Sequence, residues 1–484
     1  MTMSLKDISL LKSTAYLGGA WVGADDGHVI EVTNPATGAV LGNVPDMGAG
    51  EARRAIEAAH AALPEWRDRT GKDRAALLRR WFDLVIANTD DLALIMVSEQ
   101  GKPLAEAKGE IAYAASFIEW FGEEAKRTYG DIIPGYQPDK RLLVLKQPVG
   151  VCAAITPWNF PAAMLTRKAA PALAAGCTMV VKPASQTPLT ALALCALAER
   201  AGIPPGVLSC ITGNAAEIGE EMTSNPLVRK ISFTGSTEIG RRLAAASAGT
   251  IKRLSLELGG NAPFIVLDDA DVDTAVAGAI ISKYRNAGQT CVCANRFLVQ
   301  AGVHDEFVEK LSLAVAGLRV GEGTEQGVDI GPLIDDKAVA KVEALLADAA
   351  AKGGNVRLGG KRHALGGTFF EPTVISGARR DMALFEDEIF GPVAPVFRFE
   401  SDQEGVALAN DTIYGLAAYL YGSDLARLWR VGEALEYGMV GVNTGHISTE
   451  VAPFGGIKQS GIGREGSYHG IEEYLDVKYM ALAI

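Results

Sequence analysis

The chain has 484 residues, of which 48% are hydrophobic and 21% charged, enough core material for about three domains at roughly 150 residues each. Such a composition excludes a disordered chain and a disulfide-stapled mini-protein. The net charge of −12 lacks the basic footprint that a phosphate backbone demands, so nucleic acid is not an expected partner.

In chain order, Met1–Tyr16 carries Lys6, Asp7 and Lys12 but no long apolar run, so neither a signal nor a transit peptide is expected. Ala49–Leu63 and Asp73–Asn88 have helical periodicity, and Arg141–Gln147 alternates as a strand. From Val149 onward, strands and helices alternate. Val149–Thr156 reads as a buried strand, and a helical pattern opens after Pro161. Thr178–Lys182, Leu208–Thr212 and Lys230–Phe233 are further strands, with a helix over Pro188–Ala201. A second alternating series runs from Ala262, led by Pro263–Leu267, to about Asn443. This pattern, with 54 glycines for tight turns, predicts an α/β fold with parallel, doubly wound sheets. Glu473–Ile484 is an exposed strand candidate. It could pair with Arg141–Gln147 or with a neighbouring subunit. The longest weakly polar run, Ala169–Val181, is broken by Pro171 and Gly176 and falls short of the ~20 residues of a membrane helix.

Six cysteines without framework spacing suit a reducing compartment, and a cytoplasmic protein is expected. Six scattered histidines, and no HExxH or CxxC motif, give no reason to expect a metal. Gly461–Gly466 matches G-x-G-x-x-G, but no predicted strand precedes it, so it reads as a loop. Gly235–Gly240 has P-loop glycine spacing, yet Arg241-Arg242 replace the required Lys-Ser/Thr. Phe233–Gly240 still joins a strand to a helix, whose N-terminal N–H groups suit a pyrophosphate as well as they suit a plain turn.

Arg285–Cys291 (RNAGQTC) is the most informative polar stretch. Cys291 could be an exposed thiolate or one more buried structural thiol. No histidine motif lies near it, so a carboxylate is the other candidate base. Glu257, in the apolar LSLELGGN, fits either a base with a raised pKa or a hydrogen-bonded structural acid.

TPWNFP (156–161), KPAS (182–185), FTGSTEIG (233–240), LELGGN (256–261), GQTC (288–291), EIFGP (388–392) and PFGGIKQSGIGRE (453–465) occur in the order seen in the NAD(P)-dependent aldehyde dehydrogenases, which the chain resembles over essentially its whole length. The resemblance implies a Rossmann-like cofactor domain, an α/β catalytic domain and a small β oligomerisation element. On this reading 1–127 and 148–257 bind cofactor, 258–450 is catalytic, 128–147 and 471–484 supply oligomerisation strands, and 451–470 faces the active site. Cys291 resembles the family's nucleophile, Asn159 its oxyanion donor, Glu257 the base that activates hydrolytic water, and Glu465 a proton-relay glutamate. Lys182, Ser236 and Glu388 match positions that contact the adenine ribose, pyrophosphate and nicotinamide ribose. Thr156, Pro157, Trp158, Ser185, Gly213, Thr234, Gly235, Leu258 and Phe390 complete the implied cofactor surface.

Family members that prefer NAD often carry Glu where Ser185 stands. Serine beside Lys182 can accept a 2′-phosphate that a carboxylate would repel, so NADP is the expected preference, with NAD possible. Arg167 lies eight residues after Asn159, about two helical turns, and Arg285 six before Cys291. Each could equally form a surface salt bridge; two cations flanking a nucleophile favour an aldehyde with a distal carboxylate. MLTRKAAPALAAGCTMVVKPASQTP, YRNAGQTCVCANRF and ISTEVAPFGGIKQSG are similar to the succinate-semialdehyde branch of the family. There, matching arginines with a serine, here Ser448, hold the carboxylate, and Phe454 lines the site. Glutarate semialdehyde is the nearest competitor. His446 departs from the apolar residue expected in that loop. Cys293 resembles a second cysteine that in some members pairs reversibly with the nucleophile. A homodimer or homotetramer is implied, as a catalytic enzyme rather than a non-catalytic scaffold.

Overall fold

Short apolar runs between glycine-rich turns build two large sheets in the computed structural model, which describes residues 3–484. Met1 and Thr2, the start of the expected cofactor segment, lie outside the described residues. Across the eight-stranded sheet the order is Gly461–Ile462, Arg253–Glu257, Val228–Thr234, Val151–Ile155, Thr178–Lys182, Leu208–Cys210, Ala15–Leu17 and Ala20–Val22. The five inner strands, from Arg253–Glu257 to Leu208–Cys210, are parallel. Their registers pair Ile155 with Lys182, Phe233 with Ile155 and Thr234 with Glu257. Lys182, Thr234 and Glu257 are thereby gathered at the carboxyl edge, where open parallel sheets bind ligands.

The seven-stranded sheet runs Asn355–Leu358, Thr373–Ser376, Val393–Phe399, Ala294–Gln300, Ala262–Val266, Ala417–Tyr421 and Met439–Val442, antiparallel only at its first pair. The third sheet has three strands rather than the two expected. Leu475–Ala483 pairs antiparallel with Lys140–Pro148, and Asp131–Ile133 covers the other edge. The final strand starts at Leu475 rather than Glu473, because the helix Ser467–Glu472 precedes it. The G-x-G-x-x-G segment is not wholly loop. Gly461 and Ile462 form a short strand against Glu257 and Leu256, which ties residues 451–470 to the cofactor sheet.

The helix Pro161–Ala175 opens with proline at its first position, suited by its fixed φ, and closes on left-handed Gly176. All fifteen of its residues are buried, Arg167 and Lys168 included. Two buried cations demand a partner, and Glu465 supplies it. No helix among the described residues is long and apolar enough to cross a membrane.

Candidate active site

After the helix Val272–Tyr284 the chain makes a tight turn in which Asn286 and Ala287 adopt left-handed φ values of 52° and 54°. Gly288, φ +75°, follows where a Cβ would lie 2.2 Å from the Gly391 carbonyl oxygen, so only glycine fits. Non-glycine residues in this region persist when their surroundings over-determine them. Here the Asn286 N–H donates to Glu106 at 2.8 Å, while Asn286 Oδ1 accepts from Gln100 Nε2 at 2.9 Å. The turn delivers Cys291 half-buried at the wall of a cavity of about 260 Å³. Burial pushes the Cys291 thiol up to about 12, whereas Arg167 and Arg285 pull it down. Cys293 follows in the same turn, its N–H donating to the Thr290 carbonyl at 3.0 Å, but its Sγ turns to the Lys283 carbonyl at 3.4 Å in the interior.

The same cavity is lined by Pro157, Trp158, Asn159, Thr234, Gly235, Ser236, Leu258, Glu388 and Phe390. Asn159 sits in the bend between the strand Val151–Ile155 and the helix opened by Pro161, where its Nδ2 donates to the Gln289 carbonyl at 2.9 Å. Ser236 caps the helix Thr237–Ser247, accepting from the Ile239 N–H at 3.4 Å, so that helix opens on the cavity. A nicotinamide dinucleotide fits this surface. The helix N-terminus suits a pyrophosphate, and Thr234 Oγ1 is buried there without a hydrogen-bond partner. Trp158 and Phe390 meet edge to face with centroids 5.7 Å apart, giving an apolar wall for a planar ring. Glu388 accepts from the Gly260 N–H at 2.9 Å, and burial raises its carboxyl to about 7. Lys182 closes its strand almost fully buried, its amine lowered to about 8 by burial, and Thr156 donates its N–H to the Lys182 carbonyl at 3.1 Å. Ser185 is half-buried beyond it. Gly213, φ +135°, is packed against the Met47 backbone and does not reach this cavity. Ala338 and Lys341, on the helix Asp336–Ala351, line the cavity and carry no motif that would have singled them out.

Glu257 ends its strand buried, with Oε2 lacking any hydrogen-bond partner. Burial, then the proximity of Glu465, hold its carboxyl well above the ordinary range. Glu465 goes the other way. Lys168 Nζ, 2.5 Å from Oε1, and Arg167 Nη2, 2.8 Å from Oε2, outweigh its burial and keep it ionised. A low and a raised carboxyl side by side are the pattern of an acid–base site. Phe454 N–H donates to the Glu465 carbonyl at 2.7 Å, and its ring lies 3.9 Å from Arg167 Cζ. Arg167 is thus neither on the surface nor on the wall of the main cavity. The two-turn spacing counted from Asn159, which precedes the helix. Its Nε is buried without a hydrogen-bond partner, while Nη2 faces Glu465.

A smaller cavity on the other side of the nucleophile loop is lined by Arg285, Thr290, Val292, Tyr419, His446 and Ser448. Arg285 lies with Cζ 5.1 Å from the centroid of the Phe160 ring, and Thr290 Oγ1 is buried without a partner. Ser448 is buried and His446 exposed at the rim, its imidazole pKa lowered by burial and by Arg285.

A cysteine and an amide donor on the wall of one cavity, beside a surface that suits a dinucleotide, fit a nicotinamide-dependent oxidoreductase. The chain belongs to the aldehyde dehydrogenase family, whose model, "Aldehyde dehydrogenase family", matches residues 21–480. It is 68% identical over 480 residues to the glutarate-semialdehyde dehydrogenase of Pseudomonas aeruginosa, covering 99% of each chain. It is 64% identical over 482 residues to an Escherichia coli (strain K12) protein named succinate-semialdehyde dehydrogenase [NADP(+)], covering 100% of each. The crystal structure of succinate-semialdehyde dehydrogenase from Burkholderia pseudomallei superposes with a TM-score of 0.99 at 65% identity, over 99% of this chain and 100% of that one.

Proposed function

We propose that this enzyme oxidises succinate semialdehyde to succinate and prefers NADP to NAD. The observation that carries the substrate class is Arg285, a cation at the second cavity with Ser448 beside it and Cys291 on the adjoining loop. Arg167, paired through Nη2 with Glu465, keeps its Nε without a hydrogen-bond partner and adds a second positive charge. Two guanidinium groups around one nucleophile suit an aldehyde whose far end is a carboxylate. Glutarate semialdehyde is the second reading, favoured by the name of the Pseudomonas aeruginosa relative, and one methylene separates the two by only about 1–3 kcal/mol.

The chemistry follows from the residues. Cys291 gives its proton to solvent water, the thiolate being favoured by Arg167 and Arg285, and the sulfur adds to the aldehyde carbon to give a thiohemiacetal. The developing oxyanion takes hydrogen bonds from Asn159 Nδ2 and the Cys291 N–H. The nicotinamide, when bound, supplies the hydride acceptor; it would be held by Trp158, Glu388 and Phe390, with Ser236 at the pyrophosphate and Lys182 and Ser185 at the ribose. Glu257 then takes a proton from water, whose oxygen attacks the acyl carbon of the thioester. The C–S bond breaks, releasing the acid and returning Cys291. Glu465, held ionised by Lys168 and Arg167, raises the Glu257 carboxyl and so strengthens it as a base.

Residues 1–127 and 148–257 form the cofactor domain and 258–450 the catalytic domain in this reading, with 128–147 and 471–484 oligomerising. The last strand exposes Val477, Tyr479, Met480 and Leu482, which supports assembly of two or four copies. Six free cysteines support a cytoplasmic setting. Steady-state kcat/KM for succinate and glutarate semialdehydes with each cofactor tests the proposal. Butyraldehyde turned over as well as either acid would refute it.

A further inference from the structure

Where the helix Thr89–Gln100 gives way to Leu104–Glu124, a buried polar cluster lies behind the catalytic cavity and takes no part in the chemistry above. Lys102 Nζ is 2.5 Å from Glu110 Oε2, and each side chain is only 1% exposed. The same ammonium donates to the main-chain carbonyl of Asn159 at 2.7 Å. Glu110 uses its other oxygen to accept the N–H groups of Ala162 at 3.0 Å and Ala163 at 3.3 Å. Those are orphan donors in the first turn of the helix that carries Arg167 and Lys168. Asn286 Nδ2 reaches the same Asn159 carbonyl at 3.1 Å and the Gln289 carbonyl at 3.3 Å, which joins the cluster to the nucleophile loop.

A buried ion pair is seldom kept for stability alone, because desolvation consumes most of its attraction. This one grips the backbone of a single residue from one side and caps the following helix from the other. We propose that Lys102 and Glu110 are a positioning pair for the oxyanion donor, locking the Asn159 backbone so that its amide faces the carbon bound to Cys291. The inference rests on the role given to Asn159 above. Donors aimed at a developing charge work because they are held in place before the reaction, and a displacement of about 1 Å can cost 10²-fold.

Truncating Lys102 alone would strand a buried carboxylate, so the test removes both charges together in Lys102→Met/Glu110→Gln. The effect of Asn159→Ala on kcat/KM for succinate semialdehyde, and on the cofactor-free hydrolysis of p-nitrophenyl acetate, is measured in both backgrounds. NADPH affinity by fluorescence and the Tm serve as folding controls. Asn159→Ala is expected to cost about 10²–10³-fold in the native background. It should cost less than tenfold where the pair is gone, since a misplaced donor has little left to lose. The pair variant itself should lose about 10–100-fold in kcat with NADPH affinity unchanged. An equal cost of Asn159→Ala in both backgrounds overturns the inference. No cost in either overturns instead the role of Asn159. Should the double variant fail to fold, Lys102→Arg, which keeps the charge but moves the donor, takes its place in the same cycle, with the same equality as the refuting result.

Discussion

Replacing Arg285 by Ala tests carboxylate recognition directly, because the side chain lines the second cavity and is only half-buried. Arg285 is half-buried, with its guanidinium over Phe160 and on the wall of the cavity that holds Ser448. Arg167 is less suitable, since its loss would leave Glu465 to Lys168 alone in a buried setting. A charge-assisted hydrogen bond to a carboxylate contributes about 1.5–3 kcal/mol, so Arg285→Ala should lower kcat/KM for succinate semialdehyde roughly 10–150-fold. Butyraldehyde, which has the same carbon chain and no carboxylate, should lose clearly less, only the share that comes from the weaker pull on the Cys291 thiol. Arg285→Lys should recover only part of the loss, as an ammonium presents one charge but not the two-pronged fork. The assay is initial-rate NADPH formation over a range of each aldehyde, with Tm as the check on folding. Equal losses on both aldehydes would refute the reasoning, since the arginine would then be supporting the Arg285–Cys291 loop rather than reading the substrate.

Glu257→Gln should still release one equivalent of NADPH per site and then stop, because acylation does not need the base and hydrolysis does; rapid-quench stoichiometry checks it. Since burial and Glu465 hold the Glu257 carboxyl above its ordinary range, native kcat should rise with pH as that group loses its proton, and the limb should vanish in the variant. Ser185→Glu should move the NADP-to-NAD ratio of kcat/KM toward NAD by at least tenfold, through repulsion of the 2′-phosphate. An unchanged ratio would place that phosphate elsewhere. If Cys293 is a redox partner, peroxide inactivation should be reversed by dithiothreitol in the native enzyme and absent in Cys293→Ala. The turn at Thr290–Cys293 provides the bend that a straight strand lacks, but the thiol must rotate away from the Lys283 carbonyl to reach Cys291.

The parallel strands were legible in the amino-acid order because each is a short apolar run closed by a turn, and Thr178–Lys182 begins and ends where its composition says. The strand Val228–Thr234 extends two residues before and one after its apolar signal. Lys230 within it is fully buried against Ser255 and Glu473, which local hydrophobicity cannot register. At the N-terminus, Ala15–Leu17 and Ala20–Val22 escaped notice, since three residues on either side of a turn show no period. The site divides in the same way. Cys291, Asn159 and the residues on the wall of the large cavity sit in motifs whose local turn chemistry advertises them. Arg167 and Glu465 are 298 positions apart, and their pairing is a property of one helix buried on every side, where a cation must find a carboxylate. Lys102 and Glu110 were invisible for the complementary reason. A charged residue in an amphipathic stretch reads as solvent-facing, and only the packing of distant helices against the catalytic loops reverses that reading. Sequence motifs therefore point to the atoms that meet substrate, whereas the residues that set the position and charge of those atoms emerge when the chain is folded.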